Sequence, residues 1–316
     1  MATSIVTGAA GFIGSHLVEA LLLSGKQVIG IDQFNDYYDP ALKRKNISLF
    51  AHYPTFKLIQ GDIESLDWAT LLIDAEVVYH QAAQAGVRAS WGKSFSAYTE
   101  RNINATQVLL EAAKDARHLK RLVFASSSSV YGNAETLPTH EEICPQPVSP
   151  YGITKLAAER LCLLYYKNFG LPVTVLRYFT VYGPRQRPDM AFHKFFQAVL
   201  EKQAISIYGD GQQTRDFTFV SDAIAANLVA AASPVAVGEI FNIGGGSRVA
   251  LAQVLDTIEQ VVGQPLRRHY IENAIGDARH TGADVAKAQK LLGFQPQVPL
   301  SDGLVKEWQW IQSLYA

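Results

Sequence analysis

Gly-Ala-Ala-Gly-Phe-Ile-Gly, residues 8–14, follows a short apolar strand pattern and opens an amphipathic helix pattern. Its glycines are spaced Gly-x-x-Gly-x-x-Gly. Glycines at these positions permit a tight turn, let a pyrophosphate approach the backbone and let the helix pack closely on the strand. The amino end of the helix attracts anions because its N–H groups are unpaired. The stretch therefore predicts a strand, turn and helix that bind a dinucleotide.

Further strand and helix patterns alternate on the carboxyl side of this turn. Short apolar runs typical of buried parallel strands lie at 4–6, 28–31, 56–59, 77–79, 122–124 and 173–176. Helical patterns lie between them at 13–23, 65–72, 96–116 and 151–169. This alternation predicts an α/β fold with a doubly wound parallel (Rossmann) sheet.

Glycine and proline become more frequent after Tyr178, where shorter elements are expected. We predict that residues 1–178 form the dinucleotide-binding Rossmann domain. Residues 179–316 are predicted to form mainly a smaller C-terminal substrate lobe, with a segment of about 219–244 that returns to the first domain.

The composition excludes several classes of protein. The 316 residues are 48% hydrophobic and 18% charged, with a formal net charge of -1, which fits a folded protein and gives no broad attraction to nucleic acid or anionic membranes. The cluster Lys43, Arg44 and Lys45 is predicted to form a solvated face. Cys144 and Cys162 are too few for a disulfide framework and have no metal-ligand spacing, so no metal is expected. With no signal-peptide or membrane-span pattern, we predict a cytoplasmic location.

Acidic residues at two strand ends indicate which dinucleotide binds. Asp32 ends the second strand, where its carboxylate would bind the adenosine ribose hydroxyls and repel the extra phosphate of NADP, so NAD is predicted. Asp62 is predicted to bind the adenine amino group. The alternatives are an ordinary turn residue for Asp32 and a helix N-cap for Asp62. The predicted cofactor contacts are Gly8, Gly11, Phe12, Ile13, Gly14, Asp32, Asp62, Ile63, Ala82, Ala83 and Gln84.

Tyr151 and Lys155 form a candidate catalytic pair in Ser-Pro-Tyr-Gly-Ile-Thr-Lys. Ser149 is a good N-cap and Pro150 a good first helical residue, so the tyrosine and lysine should lie one turn apart on the same helix face. A phenol has a pKa of about 10, which a neighbouring ammonium and an oxidised nicotinamide would lower. Tyr151 is therefore predicted to be a general base, although such pairs also occur by chance.

The motifs resemble those of the extended short-chain dehydrogenase/reductase family, in particular its NAD-dependent nucleotide-sugar epimerases, along nearly the whole chain. The motifs are Thr-Gly-Ala-Ala-Gly-Phe-Ile-Gly-Ser-His at 7–16, Ser-Ser-Ser-Ser-Val-Tyr-Gly at 126–132, Tyr151 with Lys155, and Arg-Tyr-Phe-Thr-Val-Tyr-Gly-Pro at 177–184. The segments 35–40, 82–88 and 187–191 are most similar to UDP-glucuronate 4-epimerases.

The resemblance implies catalytic roles. Tyr151, Lys155 and Ser127 would be catalytic, with Ser127 bound to the sugar 4-OH and Lys155 bound to the nicotinamide ribose. Asn102 and Tyr178 would support the cofactor. Ser128 and Ser129 would contact substrate at positions where dehydratases and decarboxylases of the family carry acids. The alternative for these serines is to cap a turn.

The resemblance also implies substrate contacts. Tyr208 would pack near uracil, Arg215 would bind the diphosphate and Asp277 the UDP ribose, although Arg215 could instead pair with Asp216 or Asp222. Many relatives have an arginine where this chain has Ala274, and Arg279 is a candidate replacement. Arg187, Thr180 and Arg88 are candidates for a sugar carboxylate, with diphosphate anchors or surface ion pairs as the alternative. Thr281 would leave room for an N-acetyl group at C2.

These observations predict NAD-dependent 4-epimerisation of UDP-glucuronate to UDP-galacturonate through a transient 4-keto sugar. The alternatives are a UDP-glucose or UDP-N-acetylglucosamine 4-epimerase and, in another class, a non-catalytic NAD-binding protein. The resemblance further implies a homodimer joined by helices 96–116 and 151–169 of each subunit. No nucleic acid or membrane partner is expected.

Overall fold

The computed structural model describes residues 3–272 and 274–316. The strands are β1 (Thr3–Thr7), β2 (Gln27–Asp32), β3 (Phe56–Gln60), β4 (Ala75–His80), β5 (Arg121–Ser127), β6 (Val173–Tyr178), β7 (Val181–Tyr182), β8 (Ile205–Tyr208), β9 (Thr214–Asp216), β10 (Thr218–Phe219), β11 (Ile240–Ile243), β12 (Arg248–Ala250) and β13 (Arg268–Ile271). The α-helices are α1 (Phe12–Leu23), α2 (Pro40–Ser48), α3 (Trp68–Leu71), α4 (Phe95–Tyr98), α5 (Ala105–Ala113), α6 (Pro150–Phe169), α7 (Ala191–Leu200), α8 (Val220–Ala232), α9 (Leu251–Val262), α10 (Ala286–Leu292) and α11 (Leu300–Tyr315).

Seven strands form one parallel sheet in the order β11-β6-β5-β4-β1-β2-β3. Successive residues of a strand face opposite sides of the sheet, and here both sides are covered. Ile5 contributes to a core that contains α5 and α6 residues, whereas Val6 contributes to a core that contains α1 and α8 residues. The predicted doubly wound Rossmann sheet is therefore confirmed.

The order of the sheet reverses direction at β1 and β4, which lie side by side. In doubly wound sheets, ligands bind beyond the carboxyl ends of the strands at such a switch point. The residues that follow these two strands include Gly8 and Ala82, so the glycine turn and the loop after β4 lie side by side at this switch point.

Two predicted helices have different boundaries from those expected. The helical stretch predicted at 96–116 consists of α4, a π-helical segment Thr99–Asn104 and α5, which ends at Ala113. The helix predicted at 65–72 is reduced to the 3₁₀ turn Ile63–Ser65 and the four-residue α3. Asp67 interrupts it because its carboxylate accepts a hydrogen bond from Thr70 N and starts a new helix there.

Short strand pairs follow β6: β10 with β7, β12 with β9, and β13 with β8. The segment near 219–244 contains α8, which packs against α1, and β11, which pairs with β6 at the edge of the large sheet. Among the helices of the described residues, none combines the length and apolar character needed to cross a membrane.

Candidate active site

The turn between β1 and α1 depends on its glycines. Gly8 has φ +70°, and a Cβ there would lie 2.9 Å from the backbone N and Cα of Ala82. A Cβ on Gly14 would lie 2.0 Å from the carbonyl oxygen of Gly8. Gly11 begins α1 without a capping side chain, so N–H groups of the first helical turn remain available for a phosphate.

A first cleft lies beside this turn and runs along the carboxyl ends of β1, β2 and β4. Its predicted cofactor residues are Gly8, Gly11, Phe12, Ile13, Gly14, Asp32, Asp62, Ile63, Ala82, Ala83, Gln84, Tyr151, Lys155 and Tyr178. Eleven of these come from separate turns and strand ends of the first 84 residues, and the last three come from later in the chain. The fold therefore gathers them as the sequence predicts.

Asp32 is buried at one end of the first cleft. Its carboxylate accepts hydrogen bonds from Ala10 N (3.1 Å) and Phe34 N (2.8 Å) and forms an ion pair with Lys43 Nζ (3.2 Å). A carboxylate has about four acceptor sites, so one remains for a ribose hydroxyl.

The ion pair also corrects the prediction for Lys43, which is only 6% exposed rather than solvated. Arg44 and Lys45 are exposed, as predicted. Lys43 differs from its neighbours because α2 turns it toward Asp32, whose charge compensates the cost of burying the ammonium.

Asp62 lies at the same end of the first cleft. Its carboxylate accepts hydrogen bonds from Glu64 N (3.1 Å) and Gln33 Nε2 (2.6 Å), so it does cap the short turn that follows it. Arg101 also lines this end and donates a hydrogen bond to Gln84 Oε1 (2.6 Å). Nothing in the sequence distinguished Arg101 from other surface arginines.

Asn102 lies beneath the first cleft rather than in its wall. Its amide nitrogen donates hydrogen bonds to Gln84 O (3.0 Å) and Thr154 Oγ1 (2.9 Å), and its amide oxygen accepts one from Gln84 N (2.7 Å). Asn102 therefore fixes the loop after β4 to α6 and acts on the cleft through Gln84.

The amino end of α6 brings Tyr151 and Lys155 to the first cleft. Ser149 Oγ accepts a hydrogen bond from Gly152 N (3.1 Å) and Pro150 is the first helical residue, as predicted. Burial lowers the pKa of Lys155 to about 8. Within the described residues its ammonium makes no hydrogen bond or ion pair, and it lies 4.5 Å from the ring centre of Phe124.

Burial raises the pKa of Tyr151, while the Ser127 hydroxyl and the Arg187 charge act in the opposite direction. The lowered pKa that we expect with a bound nicotinamide is therefore absent from the protein alone. Lys155 is not among the groups that shift the Tyr151 pKa.

These features fit NAD. The glycine turn excludes side chains from the space a pyrophosphate would need, and α1 offers free N–H groups. Asp32 keeps an acceptor site, and Lys155 keeps its donors. When bound, NAD supplies a hydride acceptor and later a hydride donor.

A second cleft, of about 840 Å³, opens from the first one. Its predicted substrate residues are Arg88, Ser127, Ser128, Ser129, Thr180, Arg187, Tyr208 and Asp277. Tyr151, Tyr178 and Arg187 line both clefts, so the two meet at the candidate base. Ser127 Oγ accepts a hydrogen bond from Ser129 N (3.1 Å), and it therefore caps a turn while it faces the cleft.

The loop that carries Arg187 is anchored along its length. Glu307 Oε2 accepts a hydrogen bond from Gly183 N (2.8 Å), and His16 Nε2 contacts Pro184 O (2.9 Å). Arg185 forms an ion pair with Glu19 on α1 (2.5 Å). These contacts hold the loop against helices α1 and α11.

Arg187 already has an acidic partner in the protein. Its Nε and Nη2 donate to the two carboxylate oxygens of Asp189 at 2.9 and 3.0 Å. Tyr37 Oη donates to Asp189 Oδ2 at 3.2 Å. Burial would raise the pKa of Asp189, but the Arg187 guanidinium and these hydrogen bonds hold it below its usual range.

Arg88 also lines the second cleft. Its Nε and Nη2 donate to Asp277 Oδ2 at 3.1 and 2.7 Å, and its guanidinium carbon lies 3.8 Å from the ring centre of Tyr208. Arg88 thus groups with the predicted nucleotide residues, whereas Arg187 groups with Tyr151. The two carboxylate candidates therefore have different partners within the same cleft.

Arg215 does not line either cleft. Its Nη1 donates to Thr214 O (2.9 Å) and Arg279 O (3.1 Å), and burial lowers its pKa. The alternative pairing with Asp216 or Asp222 is wrong, because in the described part of the chain neither carboxylate forms a hydrogen bond or an ion pair with Arg215.

Arg279, the candidate replacement for the arginine absent at Ala274, pairs with Asp210 (2.7 Å) and is half exposed. Thr281 Oγ1 is buried and has no hydrogen-bond partner among the described residues.

Like Arg101, three further residues line the clefts without having been predicted as site residues: Tyr37, Lys43 and Asp189. Tyr37 and Asp189 lie inside segments 35–40 and 187–191, whose motifs were recognised without a role for either residue. An arginine and an aspartate two positions apart in a loop is a pattern that suggests an ion pair. The contact of Tyr37 with Asp189 could not be read from the sequence, because 152 positions separate them.

The sequence profile of the NAD dependent epimerase/dehydratase family matches residues 4–244. The chain is 44% identical over 312 residues to a Bacillus subtilis protein described as an uncharacterized UDP-glucose epimerase, YtcB, with 98% of each chain covered. It is 40% identical over 311 residues to the UDP-glucuronate 4-epimerase of Thermodesulfobacterium geofontis, with 97% of this chain and 95% of that one covered.

The crystal structure of UDP-glucuronic acid 4-epimerase from Bacillus cereus, in complex with UDP-glucuronic acid and NAD, superposes with a TM-score of 0.96. The two chains are 45% identical, and the match covers 99% of this chain and 100% of the other. The expected resemblance is confirmed, and so is NAD as the cofactor. The chain therefore belongs to the NAD dependent epimerase/dehydratase family.

Proposed function

We propose that this chain, a NAD-dependent UDP-sugar 4-epimerase, converts UDP-glucuronate to UDP-galacturonate. The observation that carries the substrate assignment is the position of Arg187. Its guanidinium lines both clefts and is close enough to Tyr151 to lower the pKa of the phenol. A sugar whose 4-OH reaches Tyr151 would then have its C5 substituent near a cation, which favours a carboxylate.

The residues at the junction of the clefts divide the chemistry between them. Tyr151, as the phenolate, takes the proton of the sugar 4-OH and returns it after the hydride has come back to C4. Ser127 donates or accepts a hydrogen bond at the same hydroxyl. Lys155, which lines the first cleft with Tyr151, holds the nicotinamide ribose.

Ser128 and Ser129 support epimerisation rather than elimination or decarboxylation. Both line the second cleft. Neither carries a carboxyl group that could move a proton at C5, so elimination and decarboxylation lack the acid that dehydratases and decarboxylases of the family carry at these positions, and the return of hydride to C4 is the simplest outcome. The presence of both Tyr151 and Lys155, which line the first cleft, argues against the non-catalytic alternative.

Inversion at C4 requires the keto sugar to turn over while the nucleotide stays bound. Arg88 contacts Tyr208 and Asp277 in the second cleft, and these three would anchor UDP, while Thr180 and Arg187, which also line it, would contact the sugar. With a volume of about 840 Å³, the cleft has space for both orientations of the hexose.

A UDP-glucose 4-epimerase is the second candidate. The ion pair between Arg187 and Asp189 favours it, because the pair is neutral as a whole and does not by itself demand a negatively charged sugar. The similarity to YtcB points in the same direction.

Turnover of three sugars separates these candidates. The purified protein would be incubated without added NAD with UDP-glucuronate, UDP-glucose or UDP-N-acetylglucosamine, and the products resolved by chromatography and proton NMR. We expect UDP-galacturonate from the first sugar and little product from the others. Turnover of the neutral sugars alone would refute the carboxylate role of Arg187.

We further propose that the enzyme is a homodimer joined through α5 and α6. Ile153 and Leu164 are 49% and 52% exposed. They lie eleven positions apart on α6. Because eleven residues of an α-helix complete three turns to within about 20°, both side chains lie on the same face of the helix. A second copy would cover this apolar face.

A cytoplasmic location is proposed because Cys144 and Cys162 are both free thiols. We keep the proposed division into a cofactor domain, residues 1–178, and a mainly substrate-binding lobe, residues 179–316.

A further inference from the structure

Asp189, the acidic partner of Arg187, affects how strongly Arg187 can bind a sugar carboxylate. Both carboxylate oxygens of Asp189 accept hydrogen bonds from Arg187, and one of them, Oδ2, also accepts a hydrogen bond from Tyr37 Oη. The side chains of Arg187 and Asp189 are 20% and 32% exposed, and both line the second cleft. The pair is therefore open to substrate rather than sealed in the core.

Two of the five guanidinium N–H groups are committed to Asp189, so three remain for a ligand. A substrate carboxylate that binds them meets a cation whose charge is already balanced, and its attraction is correspondingly weaker. It also approaches the Asp189 carboxylate, which repels it. Asp189 and the substrate thus compete for one guanidinium.

We propose that Asp189 is a specificity-determining residue that weakens the binding of the sugar carboxylate to Arg187. The weaker binding lets the 4-keto sugar rotate in the cleft. This inference rests on the proposed function. Re-reduction from the opposite face requires the hexose to turn, and the carboxylate must then leave Arg187. A bidentate pair with an uncompensated guanidinium would hold the ground state too tightly, which lowers turnover without helping the reaction.

Removing the charge of Asp189 should lower two kinetic constants, KM and kcat, for the sugar that carries a carboxylate. In Asp189→Asn the side chain keeps its shape but loses its charge. For UDP-glucuronate we expect KM and kcat both to fall by about tenfold, which corresponds to about 1.4 kcal/mol of extra ground-state binding. For UDP-glucose, which has no carboxylate, both constants should change by less than about twofold.

The conservative variant and a matched control separate charge from structure. Asp189→Glu restores a carboxylate and should return kcat for UDP-glucuronate toward the wild-type value. Asp256→Asn makes the same substitution in an ion pair on α9 that is outside both clefts, and it should change neither constant. Asp189→Ser provides a second neutral variant if the asparagine disturbs the loop, as judged by NAD content.

Binding constants test the inference independently of turnover. On a Tyr151→Phe background, which prevents conversion during the measurement, Asp189→Asn should tighten UDP-glucuronate binding and leave UDP-glucose binding unchanged by calorimetry. A KM that rises, a loss shared equally by both sugars, or a Glu variant as impaired as the Asn variant would overturn the role of Asp189. Absence of wild-type turnover with UDP-glucuronate would instead refute the proposed function, while the calorimetric comparison would still decide the role of Asp189.

Discussion

At the level of single residues, the site combines groups that are costly to bury. Tyr151 has a raised pKa and Lys155 a lowered one, and burial is the first cause of both shifts. Both shifts disfavour the charged forms that the chemistry needs. The protein alone therefore holds the two groups in position, and we expect the bound cofactor to supply the remaining stabilisation of the phenolate.

Tyr151→Phe should reduce kcat by about 10²- to 10⁴-fold, because the variant has no group to take the 4-OH proton. The ring keeps its place against Tyr98, so NAD should remain bound. Proton NMR of the products and nucleotide content after denaturation measure the two effects. Tyr166→Phe, on the exposed side of α6, is the matched control and should be fully active. A fully active Tyr151→Phe would remove Tyr151 from the mechanism.

Lys155→Met should stabilise the NAD-free protein near pH 7 by about 1–3 kcal/mol, because it removes a buried ammonium. The pKa of Lys155 is about 8 in the folded protein and 10.5 when unperturbed. Between these values the unfolded chain binds the extra proton, so wild-type stability rises with pH. The advantage of the variant is therefore full below pH 8 and declines toward pH 10.5.

Thermal unfolding of both proteins at the two ends of this pH range measures the difference. The variant should also lose NAD affinity, since its side chain cannot bind the ribose. A lower unfolding temperature for Lys155→Met near pH 7 would contradict the assigned burial cost.

At the level of elements, the β1 to α1 turn shows how local sequence and tertiary contact coincide. The glycine spacing predicted the turn from neighbouring residues alone. The steric reason against a side chain is nevertheless a tertiary contact at Gly8 and a local contact at Gly14. A Cβ on Gly8 meets Ala82 of a distant loop, whereas a Cβ on Gly14 meets the carbonyl of Gly8.

Gly14→Ala should abolish NAD retention and destabilise the protein by at least about 1–3 kcal/mol, because its Cβ would overlap Gly8 O and force the turn to shift. Nucleotide content and thermal unfolding are the measurements. Gly25→Ala is the control, since Gly25 also has a positive φ but nothing lies within 4 Å of its Cβ position. That variant should lose about 1 kcal/mol and keep NAD. Equal NAD loss in both would refute the steric argument.

At the level of the whole molecule, one buried network joins the sheet to the catalytic helix. Arg177 on β6 donates to both oxygens of Glu159 on α6 at 2.9 and 2.5 Å. Glu159 also accepts a hydrogen bond from Ser126 Oγ (2.8 Å), next to Ser127. The network fixes the helix that carries Tyr151 against the strand end that carries the serines.

The proposed dimer places a second copy on the outer face of the same helix. Leu164→Glu should shift the enzyme to monomers at micromolar concentration, because the charge would be buried in an apolar interface. Size-exclusion chromatography with light scattering measures this. Leu23→Glu is the control, as Leu23 is 70% exposed at the end of α1, away from the proposed interface. A monomeric wild type, or an unaffected Leu164→Glu, would refute the interface.

The sequence by itself determined the features that depend on residues close together in the chain. These include six of the seven strands of the large sheet, the glycine turn, and the helix start at Ser149 that places Tyr151 and Lys155 one turn apart. They follow from spacing, capping and apolar pattern, which act over a few residues. The motifs that resemble those of nucleotide-sugar epimerases then indicated the family and its cofactor.

Only the tertiary structure decided which charged groups face one another. Asp32 meets Lys43 across a loop, and Arg88 meets Asp277 across 189 positions. Tyr37 meets Asp189 in the same way, and this contact makes Arg187 a shared rather than a free cation. Such pairs form because the topology brings distant loops to one edge of the sheet, and no local pattern specifies which partner a long side chain will find.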